Sequence, residues 1–298
     1  MLKACGKEIH IKGVLVRVGF LDGEGFQLFE EPEQAIESLR LSGQRIDLFT
    51  FIQRISQNQP KYGFPMEWDN MAVLPVSNFD HWISKQINFK VRNKVRKAMK
   101  AGVVTREVPL DDALIQGISA IYNESPVRQG KKFRHYRKDL ESLRRMKETF
   151  LERSIFIGAY FEERLIGFAK LVSDETQSQA GLMHIFSMIA HRDKAPTNAL
   201  IAQSVKSCAE RGISNLWYAN MSYGKKQADS LAEFKRHNGF QKVEIPRYYV
   251  PLTVTGRLAL RLGLHHGFAD WVPEPMAAAY RKVRSLWYEK RFSRLQNA

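Results

Sequence analysis

Several side chains that exchange protons lie in predicted loops rather than in predicted core elements. Glu124 lies in a polar loop between two predicted helices, and Glu67 and Asp69 lie in an aromatic-flanked loop. Partial burial in such a setting raises the pKa of a carboxylate toward the range that suits a general base. Tyr218 and Tyr223 follow a short predicted strand and bring two phenols to one segment. Each carboxylate can instead serve as a helix cap or ion-pair partner, and each tyrosine as a packing residue.

A second group of polar residues lies just before a predicted helix, Asn198–Arg211. Arg192 and Lys194 precede this helix, and Thr197 is placed as its N-cap. The N-terminus of a helix presents unpaired N–H groups and about half a positive charge to an anion. Pro196 removes one of these donors but is acceptable beside a helix start. The segment is therefore expected to bind an anionic group.

The charge of the chain points to acidic partners. Its formal net charge is +15, and the stretch from Lys85 to Arg106 contains eight Lys and Arg residues and no acid. Such a surface suits nucleic acid, anionic lipid headgroups or the phosphates of a nucleotide-bearing donor. Charge alone does not separate these partners, and an excess of basic residues also keeps a protein in solution.

Other sites and segments are excluded by residue type and spacing. Cys5 and Cys208 are too few and too far apart for a disulfide framework or a zinc site. His265 and His266 have no carboxylate or cysteine at ligand spacing along the sequence, which argues against a metal site. His184 is interpreted as a core or cleft-wall residue. No run of about 18 apolar residues exists, so we expect no transmembrane helix and a cytoplasmic protein.

Hydrophobic patterns predict the order of elements in the C-terminal half. A hairpin is followed by a strand, a helix, a short strand, a helix and a last strand. Their predicted bounds are Ile155–Phe161, Arg164–Val172, Leu182–Ala190, Asn198–Arg211, Asn215–Ala219, Ser230–His237 and Gln241–Val250. Upstream, apolar residues at every fourth position predict one helix from His81 to Ala101 with a basic outer face. An amphipathic basic helix is predicted for Met276–Phe292.

Two motifs give the chain a resemblance to a known family. The first is Trp82 followed by Arg92-Asn93-Lys94-Val95-Arg96-Lys97-Ala98 and Gly102, and the second is Phe234-Lys235-Arg236-His237-Asn238-Gly239-Phe240. With the element order after Ile155, they resemble the GNAT-type N-acyltransferases and their Fem-type peptidyltransferase branch. The resemblance covers about Asp47 to Thr253. It implies an α+β fold, a mixed sheet flanked by helices, in two GNAT-like halves. The expected domains are 1–102, 103–254 and a basic helical tail, 255–298.

The resemblance also implies a reaction. An acyl group would move from an acyl-CoA thioester, such as acetyl-CoA, to an amine of a small molecule or peptide. The thioester would lie between the strands Leu182–Ala190 and Asn215–Ala219, with its carbonyl polarised by a backbone N–H. The pyrophosphate of coenzyme A would contact the residues around the helix start, which are Arg192, Lys194, Ala195, Thr197 and Asn198.

The resemblance assigns roles to the residues that exchange protons. Glu124 would be the base, with Glu67 and Asp69 as the next candidates. Tyr223 would protonate the leaving thiolate, with Tyr218 as the second candidate. The nearby polar residues expected to bind the acceptor are Asn123, Arg128 and Asn220. No metal is expected.

The pyrophosphate segment departs from the family pattern. GNAT enzymes generally show Gln or Arg, two residues, Gly, one residue, then Gly or Ala, whereas here both small positions are altered, to Ala195 and Thr197. This keeps two alternatives open. One is a Fem-like aminoacyltransferase that uses aminoacyl-tRNA, and the other is a non-catalytic basic binding module. An anionic membrane surface is a further expected partner for the basic C-terminal helix.

Overall fold

The computed structural model describes residues 2–57, 59–222 and 230–266, together with 275, 276, 279, 280, 282–284, 286–288 and 290. The predicted basic helix Met276–Phe292 lies partly outside these residues. Within the part of the chain that the structure describes, no helix is long and apolar enough to cross a membrane.

Strands and helices alternate along the described residues. The strands are β1 (Leu2–Ala4), β2 (Lys7–Lys12), β3 (Val18–Leu21), β4 (Leu48–Ile52), β5 (Met66–Pro75), β6 (Val104–Val108), β7 (Val127–Arg128), β8 (Lys131–Lys132), β9 (Ser154–Phe161), β10 (Arg164–Ser173), β11 (Gln179–Ser187), β12 (Asn215–Asn220) and β13 (Gln241–Pro251). The helices are α1 (Pro32–Leu41), α2 (Phe79–His81), α3 (Phe89–Lys100), α4 (Asp112–Asn123), α5 (Leu140–Glu148), α6 (Pro196–Glu210), α7 (Ser230–His237) and α8 (Val254–Arg261).

The chain divides into two compact units. The first contains the described residues of Met1–Val73, Asn220–Gln227 and Gln241–Val272, and the second contains those of Leu74–Ala219, Ala228–Phe240 and Pro273–Ala298. The expected domain limits at 102 and 254 do not follow these units. The physical reason is that β13 pairs antiparallel with both β4 and β5, so the last strand returns to the first unit.

The first unit is a mixed sheet with strand order β1-β2-β3-β4-β13-β5. β3 and β4 are parallel, and the other pairs are antiparallel. Its core is aromatic, with the stacked rings of Phe49 and Phe51 continued by Tyr248. All five residues of β4 are buried, and all but Thr50 are apolar.

The second unit is a mixed sheet with strand order β12-β11-β10-β9-β6 and helices on both faces. Alternate residues of β10 point to opposite faces. Phe168 contacts Tyr122 of α4 on one face, while Gly167 lies against Leu200 of α6 on the other. The predicted β9–β10 hairpin is confirmed, and Glu162 and Glu163 form its turn with positive φ angles of 49° and 60°.

The predicted helix from His81 to Ala101 is wrong as a single element. A π-helical turn, Trp82–Gln86, ends at Ile87, and a new helix, α3, begins at Phe89. Asn88 causes the break because its extended backbone and its side chain, which accepts from the N–H of Val91, form an N-cap. α3 buries the predicted stripe residues Val91, Val95 and Ala98, and its remaining face is exposed and basic.

Candidate active site

The two strands that were expected to diverge around the site do so in the second unit. β11 and β12 are parallel but pair at only three positions, Gln179 with Asn215 through Gly181 with Trp217. Beyond them, β11 continues to Ser187 with no strand partner on its β12 side among the described residues. Because N–H and C=O groups alternate in direction along a strand, part of this edge points into the opening. The opening therefore offers backbone donors to a carbonyl oxygen.

A β-bulge lies at the start of this free edge. Lys170 of β10 pairs with His184 and Leu171 pairs with Leu182, so Met183 has no partner across the ladder. A bulge adds one residue to a strand and increases its local twist. This bulge lies where β11 separates from β12. It therefore changes the direction of the residues that face the opening.

Glu124 holds the loop that leaves β11. Its Oε2 accepts from the N–H of Ile189 at 2.6 Å, and its Oε1 accepts from the N–H of Ala190 at 2.8 Å. Arg128 donates to Glu124 Oε2 at 3.2 Å and to the carbonyl of Ser187 at 2.9 Å. Both carboxylate oxygens are thus engaged by the chain itself. The expected role of Glu124 as a base stays a prediction, and these contacts favour a positioning role.

Asn123 and Arg128 were expected to bind the acceptor, and each makes contacts within the loop after α4. Asn123 accepts from the N–H of Arg137 at 2.7 Å through its side-chain oxygen. The Arg128 guanidinium lies over the ring of Phe133, 5.0 Å from its centroid. Burial lowers the pKa of Arg128, although Glu124 opposes that shift. Their binding roles stay predictions.

The segment expected to hold a pyrophosphate satisfies most of its own donors. A 3₁₀ turn covers Arg192–Lys194, and the N–H of Ala195 donates to the carbonyl of Arg192 at 3.1 Å. Ala195 has a left-handed backbone (φ 52°) and is the residue that precedes α6. α6 begins at Pro196, which has no N–H. The predicted N-cap at Thr197 is therefore wrong, because the helix starts two residues earlier than expected, with Ala195 in the N-cap position and no side-chain cap.

The side chains of this segment are engaged to different extents. Lys194 pairs with Asp193 at 3.2 Å and lies over the ring of Phe161. Thr197 shares a 2.8 Å hydroxyl contact with Ser187. Asn198 is buried and contacts Asn238, and its binding role stays a prediction. Arg192, by contrast, is exposed and forms no ion pair with any residue in the described ranges. Of the side chains expected to bind phosphate, Arg192 remains the most open.

Tyr218 lies at the point where β12 leaves β11, one residue beyond the last paired position. The ammonium group of Lys235 lies over its ring, 4.5 Å from the centroid. Lys235 itself is buried, so it does not belong to a solvated face. Tyr223, the first candidate for the acid, lies outside the described residues. Of the two candidate acids, Tyr218 lies within the described residues, and its role stays a prediction.

The two motifs that carry the family resemblance meet in the second unit. Trp82 is fully buried, and its indole N–H donates to the carbonyl of Asn238 at 3.0 Å. The side chain of Asn238 donates to the carbonyl of Phe234 at 2.7 Å, and Asn198 contacts it from α6 at 3.4 Å. Gly239 ends α7 with a φ of 90°. The motifs therefore position α6 and α7 and take no visible part in chemistry.

Three further candidates lie in the first unit. Asp69 accepts from Arg247 Nε at 3.0 Å and from the side-chain amide of Asn220 at 2.7 Å. Arg247 also pairs with Glu24 at 2.6 Å. These contacts favour the alternative interpretation of Asp69 as an ion-pair residue, and its role in catalysis stays a prediction. Asn220 orients the same carboxylate.

The third, Glu67, corrects one argument made from spacing. His265 and His266 lack a carboxylate neighbour along the sequence, but the fold brings Glu67 to them. The Oε1 atom of Glu67 lies 3.0 Å from Nε2 of His265 and 3.1 Å from Nε2 of His266. The sequence argument fails because Glu67 is almost 200 positions away along the chain.

Sequence reasoning missed a cluster of buried basic residues beside β11. Lys147 donates to the hydroxyl of Tyr122 at 2.9 Å, and Lys170 donates to the carbonyl of Lys147 at 2.7 Å. The ring of His135 stacks on Tyr122 at 4.9 Å, and His184 lies 6.4 Å from His135. One signal was available, because Lys170 stands in the middle of an otherwise apolar strand. Lysine is almost never fully buried without a charged partner.

Burial disfavours the charged forms of the residues in this cluster. It lowers the pKa of Lys147 to about 7, with the nearby Lys170 as a second cause, and lowers that of Lys170 to about 8. It also lowers the pKa of His135 to about 4 and that of His184 to about 2. Imidazoles with such low pKa values are weak bases, which agrees with the interpretation of His184 as a wall residue.

Comparisons of the whole fold agree with this architecture. The structure is similar to L-PGS from Bacillus licheniformis (15% identity, TM-score 0.55), covering 85% of each chain. It is similar to FemX (11% identity, TM-score 0.54), covering 85% of this chain and 86% of FemX. It is also similar to the C-terminal domain of a candidate lysylphosphatidylglycerol synthetase from Agrobacterium fabrum (12% identity, TM-score 0.53), covering 85% and 83%.

These similarities concern the fold, since every identity is low. No protein-family model matches the sequence, and no curated protein matches it. β11 and β12 diverge, as the sequence resemblance implies, and α6 follows β11 and precedes β12 along the chain. The chain therefore has the GNAT-type fold in its Fem-like form.

Proposed function

We propose that this chain is an acyltransferase that moves an aminoacyl group from aminoacyl-tRNA to an amine. The observation that carries the choice of donor is the state of the segment before α6. Its N–H groups at Arg192, Lys194 and Ala195 donate within the segment, and Pro196 has none. A pyrophosphate would find few free backbone donors there, whereas an ester-linked acyl group needs only the opening between β11 and β12.

A second feature supports an extended polyanionic donor. The outer face of α3 is exposed and lacks an ion pair with any residue that the structure describes. Its basic residues are Lys90, Lys94, Arg96, Lys97 and Lys100. Unpaired cations along one helix face match a run of phosphates, because each contact releases condensed counterions. α3 also packs against α6, which begins at the proposed site.

The reaction follows from the groups at the opening. The amine attacks the ester carbonyl carbon, and N–H groups of the free β11 edge stabilise the oxyanion that forms. As the C–O bond to the ribose breaks, Tyr218 gives its proton to the leaving oxygen and recovers one from the nitrogen. The products are an amide and a free ribose hydroxyl, so one proton passes from nitrogen to oxygen.

Substitution of Tyr218 by phenylalanine tests the proposed acid. We expect turnover to fall by about a hundredfold, the usual range for loss of general acid–base catalysis. The melting temperature is expected to stay close to that of the wild type, because the ring and its contact with Lys235 remain. Single-turnover kinetics with a preformed acyl donor would measure this. Unchanged turnover would remove Tyr218 from the mechanism.

The donor itself is tested by binding. We expect tRNA to raise the unfolding midpoint of the wild type, with an affinity that falls steeply with salt. The double variant Lys94→Gln/Lys97→Gln should lower the slope of log affinity against log salt by about one for each phosphate contact removed. The matched control is Lys3→Gln/Lys12→Gln, which removes two exposed lysines from the first unit. Equal slopes for both double variants would exclude α3 as the tRNA surface.

Acyl-CoA is the second candidate donor, favoured by the exposed and unpaired Arg192. If acetyl-CoA or a longer acyl-CoA raises the midpoint, and Arg192→Gln abolishes the shift, the thioester replaces the ester in the scheme above. Binding of tRNA without any transfer from charged tRNA would instead support a non-catalytic basic module on this fold.

A further inference from the structure

Three side chains that commonly bind metal ions meet in the first unit. The carboxylate oxygen Oε1 of Glu67 lies 3.0 Å from Nε2 of His265 and 3.1 Å from Nε2 of His266. The three ligand atoms all lie within 4.8 Å of one another. This group lies in the first unit, whereas β11, Glu124 and Tyr218 lie in the second.

The fold brings these residues together through close packing of α8. Thr253 caps α8 by accepting from the N–H of Gly256, and its hydroxyl donates to Asp47. Gly256 lies so close to the backbone of Asp47 that a Cβ added to this glycine would be 1.8 Å from the carbonyl oxygen of Asp47. The chain then turns through Leu264–His266 and directs both imidazoles at β5.

The position of the first imidazole is fixed before any ligand binds. The side chain of His265 is 2% exposed, and its ring packs against Tyr249 with 4.6 Å between centroids. His266 and Glu67 are each 41% exposed, so the group is open to solvent on one side. A buried ligand with two accessible partners gives an ion a route of entry and leaves room for water.

We propose that Glu67, His265 and His266 form a binding site for a zinc-type divalent cation. Zinc takes imidazole nitrogen and carboxylate oxygen at about 2.0–2.2 Å, which places tetrahedral ligand atoms about 3.3 Å apart. The two oxygen-to-nitrogen distances are already close to that value. Water fills the fourth position. A bound cation replaces the two imidazole hydrogen bonds to Glu67 and ties the Leu264–His266 turn to β5.

The surroundings of His265 also affect how tightly this site binds a cation. Nδ1 of His265 is buried and has no hydrogen-bond partner among the described residues. Histidine ligands usually donate this second N–H to an acceptor, and loss of such a partner costs about 10–100-fold in affinity. We therefore expect weaker binding than at a closed structural zinc site, with an exchangeable cation.

The test uses the untagged full chain after treatment with a chelator. Zn²⁺ is expected to raise the unfolding midpoint, and Co²⁺ is expected to give the intense visible absorption of a four-coordinate ion. His266→Ala removes an accessible ligand and should weaken binding of both ions by more than about tenfold. Glu67→Gln should weaken it as well. His265 is left intact because its buried ring contributes to packing.

The matched control is His10→Ala. His10 pairs with Asp22 at 3.1 Å in the same unit but has no second histidine beside it. We expect this variant to bind both ions as the wild type does. The proposal is overturned if the wild type shows neither signal, if His266→Ala binds as tightly as the wild type, or if His10→Ala loses binding to the same extent. None of these outcomes depends on which acyl donor is used.

Discussion

Raising the pH from 7 to 9 is expected to stabilise this protein by about 3–4 kcal/mol, because two buried lysines lose their protons at a lower pH in the folded state than in the unfolded state. The pKa of Lys147 is lowered to about 7 and that of Lys170 to about 8. The unfolded chain holds both protons up to a pH of about 10.4. Between these limits the unfolded state binds more protons, so the free energy of unfolding increases with pH. Proteins are usually most stable between about pH 5 and 8.

The variant Lys147→Met should lack the contribution of Lys147 to this pH dependence, which is about 2 kcal/mol between pH 7 and pH 9. Urea unfolding at the two pH values measures the change in the free energy of unfolding. The hydroxyl of Tyr122 loses its partner in this variant, so the double variant Lys147→Met/Tyr122→Phe is the companion if the single one folds poorly. Lys97→Met, on the exposed face of α3, is the control and should keep the wild-type slope. A slope that is the same in Lys147→Met and wild type would contradict the burial of a neutral amine.

The two histidines of the cluster affect the stability of the protein in a separate, acidic pH range. The pKa of His135 is lowered to about 4 and that of His184 to about 2, both from an ordinary value near 6.5. Below pH 6.5 these histidines bind protons in the unfolded chain but not in the folded chain, so stability is lost as the pH falls. The lysines and histidines together predict a protein that is most stable in alkaline solution.

Glu124→Gln is expected to lower turnover by about a hundredfold, the cost of displacing a reactive geometry by about 1 Å. Each oxygen of Glu124 accepts a backbone N–H, from Ile189 or from Ala190. An amide offers only one acceptor, so one N–H of the loop that leads to Arg192 loses its partner. Glu148→Gln, an exposed glutamate on α5, is the control.

The pH profile of turnover separates a positioning role from a catalytic one. If Glu124 only holds the loop, the variant keeps the profile of the wild type at a lower level. If it is the base, the limb of the profile that reports its ionisation disappears. Wild-type turnover in Glu124→Gln would remove this residue from the mechanism altogether.

Local sequence signals predicted much of the second unit. The β9–β10 hairpin, α7 with Gly239 beyond its end and the stop of α6 near Gly212 all follow from residues next to each other in the chain. Two of the wrong predictions concern the starts of helices. The sequence pattern predicts Asn88 inside a helix, whereas it caps α3, and it predicts Thr197 as a cap, whereas α6 starts at Pro196.

Sequence patterns predict the order of the elements after Ile155 and the basic face of α3, because turns, caps and hydrophobic periodicity act between near neighbours, and the family resemblance implies the GNAT-type fold in its Fem-like form. The folded structure was needed to show that Glu124 holds the loop after β11, that Lys147 and Lys170 are buried together and that Glu67 faces two histidines. The separation along the chain runs from 23 positions, between Lys147 and Lys170, to 198 positions, between Glu67 and His265. No local sequence pattern predicts such contacts, because they depend on how whole strands and helices pack together.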